Sequence, residues 1–398
     1  MPSIPSADHD LEVAPGEEQD VTKLELFFDL IYVFAISQLS EHLLGNLTWR
    51  GALETLVMSL TVFGVWATTT YESTMVLARR RTARYLLLGV MVLGLVMNAS
   101  ITGAFEHSPW MFVAPLLAIQ IGRPLLTRRV DVSAAMRLHR VNMVVWSLAS
   151  AVPWVVGALA GEHGRLIWWA VAAAIDLLGM RLRHPVPGLP VPGRDEIDFD
   201  LPHQIERCQL FFIICLGEAV LTTGNAVIRG LDEPVVVAAG VASMLVIICI
   251  WALFFGPANE ERVVAPLAAL RQERDPAASL SLAILTTNGQ QVLVLGMVAF
   301  AVGAEVVVDE PAEPAGTAAV LALFGGIIIC VTALWLFLAR ATGRRAWVSL
   351  AVSDTVLVGL ALVSALAGLP GMVVIGLLLV AAATTVWGFS RETRRLAR

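Results

Sequence analysis

The residues best suited to chemistry in this chain stand where a membrane should reject them. Glu218 sits in Leu216-Gly217-Glu218-Ala219, within an apolar run that begins near Arg207. The helical rise puts it about 17 Å from that start, near mid-membrane. A bare carboxylate at such depth costs at least about 2.5 kcal/mol on insertion scales. Glu218 is therefore expected to face protein or an internal cavity, to carry a proton, or to have a partner. Thr222 and Asn225 follow on the same helical face. Two readings fit: a proton- or solute-binding carboxylate, or a structural carboxyl bonded to a neighbouring helix.

A second constellation begins with Glu25 and Asp29, four residues apart on one face. Two such carboxylates repel unless a cation or proton lies between them. Arg207, His203 or a bound cation could relieve the repulsion, and we expect Arg207 to approach Asp29 or Glu25. Glu25 also has a plainer role, because an acid at a helix N-terminus is favoured by the helix field. His203-Gln204-Ile205-Glu206-Arg207 reads as a polar cluster closing one end of its span. No His-Glu-x-x-His pattern accompanies His203 and Glu206, so no metal is expected, and no phosphate loop or other cofactor motif is present in the sequence. Asp354, Asn288 and Glu72 are secondary candidates, with Asn98, Asp176, Gln290 and Gln291 behind them. Asn288, Gln290 and Gln291 flank Gly289, where a tilted or broken helix would place them at a site.

The elements that must hold these residues are membrane helices. The chain has 398 residues, of which 57% are hydrophobic and only 15% charged. A soluble domain is typically about 25% charged, so an ordinary cytoplasmic enzyme is excluded, as is a disordered chain. A formal net charge of −6 gives no support for nucleic-acid binding. The four cysteines, Cys208, Cys215, Cys249 and Cys330, lie in apolar runs and read as buried small residues. A bilayer core of about 30 Å needs about 20 residues of helix. Twelve stretches qualify, near 24–44, 52–72, 85–105, 110–126, 141–160, 165–180, 207–227, 234–255, 280–306, 318–339, 346–366 and 371–389. The fold class is all-α, a polytopic membrane helical bundle of about 12 transmembrane helices.

Arginines orient this bundle. Lys23 and the arginines at 79–84, 128–140, 181–207, 262–274, 340–345 and 391–398 fall on one side. Arg50, Arg165 and Arg229 fall on the other. The positive-inside rule places both termini in the cytoplasm. The Pro-rich stretch 181–206 divides the chain into two halves of six spans, 21–180 and 207–390, flanked by a disordered acidic tail, 1–20, and a basic tail, 391–398. Glu25-Leu26-Phe27-Phe28 opens the first half and Gln209-Leu210-Phe211-Phe212 the second, a short echo consistent with parallel repeats.

Two segments also carry a family resemblance. Val21-Thr22-Lys23-Leu24-Glu25-Leu26-Phe27-Phe28-Asp29-Leu30-Ile31-Tyr32 resembles the N-terminal signature of the bacterial low temperature requirement protein A family. His203-Gln204-Ile205-Glu206-Arg207 with Leu216-Gly217-Glu218 is similar to its second signature. Ala219 stands where that signature usually has serine, which removes a hydroxyl beside Glu218, and Lys23 replaces a common proline. The resemblance implies a multi-pass protein of the bacterial inner membrane and names no substrate. The reading that best fits the residues is a secondary transporter, coupled to protons, with Glu218 as central carrier and Asp29, Glu25 and Arg207 as an inner gate. The alternatives are an intramembrane enzyme acting on a lipid-linked or apolar substrate, a channel, and a non-catalytic membrane factor for cold or stress adaptation. The expected partners are membrane lipids and an unidentified small solute or ion, protons included, with an oligomer left open.

Overall fold

The computed structural model describes residues 21–76, 81–127, 134–191, 201–256, 276–341 and 348–397. The acidic stretch 1–20 lies outside the described residues. Among them are twelve long helices. These are α1 Lys23–Gly45, α2 Trp49–Val76, α3 Arg81–Ala99, α4 Pro109–Thr127, α5 Ala134–Leu159 and α6 Glu162–Leu182. There follow α7 Leu201–Arg229, α8 Pro234–Phe255, α9 Pro276–Asp309, α10 Thr317–Ala341, α11 Val348–Ala367 and α12 Gly371–Ala397. Ten are long and apolar enough to cross a membrane. The apolar part of α3 is only Arg84–Ala99, and a single 3-10 turn at Ile101–Gly103 follows it. The sequence suggested a longer third span, but Ser100 and Gly103 break the helical run. The other exception, α6, carries Glu162, Arg165, Asp176 and Arg181. The protein is thus a polytopic all-α membrane bundle.

Each set of six helices closes the same cycle of neighbours. In the first, contacts run α1, α3, α4, α5, α6, α2 and back to α1. In the second they run α7, α9, α10, α11, α12, α8 and back to α7. The two rings meet where α1 and α2 lie against α7 and α9. One continuous apolar core runs through both. Aromatic rings bind the junction: Trp66 of α2 lies 4.7 Å from Phe211 of α7, centroid to centroid.

Three boundaries differ from the sequence reading. The helix α9 runs unbroken through Asn288, Gly289, Gln290 and Gln291. Gln290 and Gln291 are buried, so their side chains turn into the bundle and leave the helical ladder intact. The stretch 391–397 is no separate tail but the last turns of α12. Arginines suit a helix C-terminus, the Arg391 guanidinium lies 3.8 Å from the centre of the Trp387 ring, and Glu392 accepts from the amides of Val348 and Ser349, 3.1 Å each. Third, α7 starts at Leu201, so His203, Gln204 and Glu206 belong to its first turns and not to a linker.

Candidate functional site

At the ring junction the chain builds a buried charge cluster. It starts with a local device at the N-terminus of α1. The Thr22 hydroxyl accepts from the Glu25 amide at 3.3 Å, and the Thr22 amide donates to Glu25 Oε2 at 3.0 Å. This capping box fixes the Glu25 carboxylate and leaves Oε1 facing α7. Asp29 follows one turn later, fully buried.

The helix α7 brings Arg207 to the same level, with none of its surface exposed. Arg207 Nη2 donates to Asp29 Oδ1 at 2.9 Å and Nε to Asp29 Oδ2 at 3.1 Å. Nη1 donates to Glu25 Oε1 at 3.3 Å and to the Ser73 hydroxyl of α2 at 2.7 Å. The indole of Trp66, also on α2, donates to Asp29 Oδ1 at 2.8 Å. The guanidinium lies 5.3 Å from the centre of the Phe28 ring. Such bidentate, charge-assisted bonds are strong and directional. His203 Nε2 lies 3.2 Å from Glu25 Oε1. Gln204 donates to the Thr287 hydroxyl at 3.2 Å and ties the cluster to α9.

The charges in this cluster do not balance by themselves. Two carboxylates face one guanidinium, and the remaining negative charge is offset when His203 carries a proton. The arrangement can therefore hold a charge pair across the junction and take up a proton at the His203–Glu25 contact.

A second cluster lies inside the first ring. Arg123 Nε is 3.0 Å from Glu72 Oε2, Arg140 Nε is 3.8 Å from Oε1, and Arg123 donates to the Thr69 hydroxyl at 2.6 Å. Nearby, Asp176 accepts from Gln120 at 3.1 Å and from the Trp154 indole at 3.0 Å. Small cavities of about 90 and 50 Å³ adjoin these groups; the larger reaches Glu72, His184 and Asn288. In the second ring a cavity of about 310 Å³ lies between α7, α8, α9 and α10. On α11 of the same ring, Asp354 accepts from the Thr332 hydroxyl at 2.9 Å. Among the described residues no group of three or more His, Cys, Asp or Glu is placed to hold a metal ion.

The placement of the sequence candidates divides sharply. Glu25, Asp29, His203 and Arg207 come together. Glu206 is exposed and points away from them. Glu218 is half-buried, lines none of the described cavities, and its carboxylate has no partner among the described residues. The buried face of α7 runs through Phe211, Cys215, Ala219, Thr223 and Ala226, and one residue along a helix is a turn of about 100°. Thr222 donates to the Glu218 carbonyl at 3.0 Å, and Asn225 is exposed. Trp66 and Ser73 escaped the sequence reading. Their signal is the polar run Thr68-Thr69-Thr70-Tyr71-Glu72-Ser73 inside an apolar span, with Trp66 two turns before Ser73.

Comparison with known proteins agrees with this architecture. The family model described as Bacterial low temperature requirement A protein (LtrA) matches residues 20–384. An uncharacterized protein of Rhizobium meliloti (strain 1021), RA0937, is 29% identical over 328 residues, covering 80% of this chain and 78% of that one. No solved structure matches the chain.

Proposed function

The chain belongs to the bacterial low temperature requirement A protein family, and from that premise and the cluster geometry we propose that it is a secondary transporter coupled to protons. The observation that carries the reading is the buried grouping of two carboxylates, one guanidinium and one imidazole, Glu25, Asp29, Arg207 and His203, at the contact between two like rings. We assign the rings to parallel halves, α1–α6 and α7–α12, with both termini cytoplasmic. The repeated cycle of helix neighbours and the arginine bias support this assignment.

In this scheme the Arg207–Asp29 pair is the inner gate. It spans the seam, so rocking one half against the other must break it. A proton delivered to the His203–Glu25 contact lowers the cost of burying the cluster, and its release raises that cost again. Ser73 and Trp66 keep the guanidinium and Asp29 in register. Glu218 lies off this path.

The test is proton movement in vesicles holding the purified protein, read by an enclosed pH dye while small solutes are screened under an imposed pH gradient. The parent protein should show solute-dependent proton movement. Glu25→Gln and His203→Gln should abolish it while leaving the protein assembled. Undiminished coupled movement in both variants would reject the scheme.

A further inference from the structure

We infer that the 310 Å³ cavity of the second ring is a binding site for an uncharged, largely aromatic small molecule bearing one hydrogen-bond acceptor. This assignment concerns binding and does not depend on the transport reading.

Its volume lies near the lower limit of small-molecule sites, which run from about 300 to 1,000 Å³. The walls are apolar and rich in rings, with Phe212 of α7, Phe254 and Phe255 of α8, and Phe337 of α10. Phe212 and Phe254 stand edge to face at 4.8 Å, and Phe212 and Phe255 stack at 6.2 Å, a pre-formed aromatic wall. Offset and edge-to-face contacts favour a flat ring as guest. Among the described residues no charged side chain lines the cavity, so a charged guest would lose its hydration without a partner there.

One group is left unanswered. Gln290 of α9 lines the cavity and is only 4% exposed, and its amide nitrogen has no hydrogen-bond partner among the described residues. A buried donor left unmet is costly. Water would need two to four polar partners to settle there; of the other polar side chains in the lining, Thr286 already donates to the Leu282 carbonyl and Gln209 is exposed. A carbonyl or ether oxygen on the guest would meet the amide, with its rings against the phenylalanines.

The neighbouring Gly289 also lines the cavity. A Cβ added there meets nothing within 4 Å, so a larger side chain would project into open space without displacing the backbone.

Benzophenone is a suitable probe, being neutral, with two rings and one carbonyl, and forming covalent adducts with nearby C–H groups under ultraviolet light. With the full chain in lipid nanodiscs, mass spectrometry should map adducts to 205–212, 286–293 and 333–337. Gly289→Leu should lower labelling there at least tenfold and leave labelling elsewhere unchanged. Gly289→Val should give an intermediate loss, which keeps the test valid if the leucine variant folds poorly. Diphenylmethane, the same two rings without the carbonyl, should compete several-fold less well than unlabelled benzophenone in the parent and equally well in Gln290→Leu. Labelling spread evenly over lipid-facing helices such as α5 and α11 would overturn the assignment as membrane partition. So would labelling that Gly289→Val and Gly289→Leu both leave intact, or equal competition by the two compounds in the parent.

Discussion

The two rings share one cycle of helix contacts and differ in what fills them. The first is closed by charge and indole: Glu72 with Arg123 and Arg140, and Asp176 with Gln120 and Trp154. The second keeps a cavity walled largely by phenylalanine, and its acid Asp354 accepts from the Thr332 hydroxyl. Helix order and packing can therefore be retained while the interior changes from polar, with cavities of about 90 and 50 Å³, to apolar, with one of about 310 Å³. The chemistry of each ring follows from a few inward positions. The Leu-Phe-Phe echo makes the point at single residues. Phe28 and Phe212 are both buried, but the next position is Asp29 in one ring and Ile213 in the other.

Substitutions can break or sharpen this contrast. The largest effect is expected at the seam, where Arg207→Ala leaves Asp29 buried without its guanidinium and Glu25 with His203 alone. Removing one partner of a buried pair costs about 3–5 kcal/mol. The protein should lose its monodisperse elution at a far lower temperature in detergent, with Arg207→Lys recovering part of the loss because an ammonium cannot make the bidentate contact. Parent-like stability in the alanine variant would show that charge does not clasp the rings.

Within the first ring, Glu72→Gln should cost somewhat less, about 2–3 kcal/mol. Arg123 keeps the Thr69 hydroxyl and Arg140 the Thr127 carbonyl. Thermal inactivation in detergent measures this, and no shift would mean that the first ring does not depend on its polar filling. In the second ring the comparable weak point is close packing. Gly303→Ala would drive its Cβ into the backbone of Leu323, and overpacking of this kind costs about 1–3 kcal/mol. A melt unchanged from the parent would remove tight α9–α10 packing as the support of that ring. The smallest effect, within about 0.5 kcal/mol, is expected for Glu218→Gln, checked by the same melt and by proton movement in vesicles. Abolished coupling there would return Glu218 to the centre of the mechanism and shift attention from the seam to the outer face of α7.

The sequence made the helices legible because apolar runs of membrane length leave the backbone few alternatives. It made the seam legible too. Glu25 and Asp29 repel on one face, so a cation had to come from elsewhere, and Arg207 enters its span at the same depth. What it could not show is which way a lone acid points. Glu218 and the buried Ala219 are one residue apart, and depth in an apolar run says nothing about that rotation. Nor could it show that the three arginines on the sparsely basic side are all engaged. Arg50 pairs with Glu54 at 2.7 Å, Arg165 is buried and donates to the Glu106 carbonyl at 3.1 Å, and Arg229 pairs with Glu305 and Asp309 at 2.7 and 2.8 Å. Residues that read as loop charges by spacing alone act as fastenings.

Gly296 of α9 sits against the Gly326 carbonyl and the Cys330 thiol of α10, and one heptad on, Gly303 sits against the backbone of Leu323. Two such close seats on one pair of helices resist sliding and prying alike, since each glycine abuts backbone atoms that cannot swing aside. Mechanically, α9 and α10 form a single beam. The same beam touches α1 and α2 of the other ring through α9, so a tilt at the seam is carried through it as a lever arm. Gly289, Gln290 and Leu293 on one member and Ala333, Leu334 and Phe337 on the other then travel together. That side of the cavity is therefore the more rigid one.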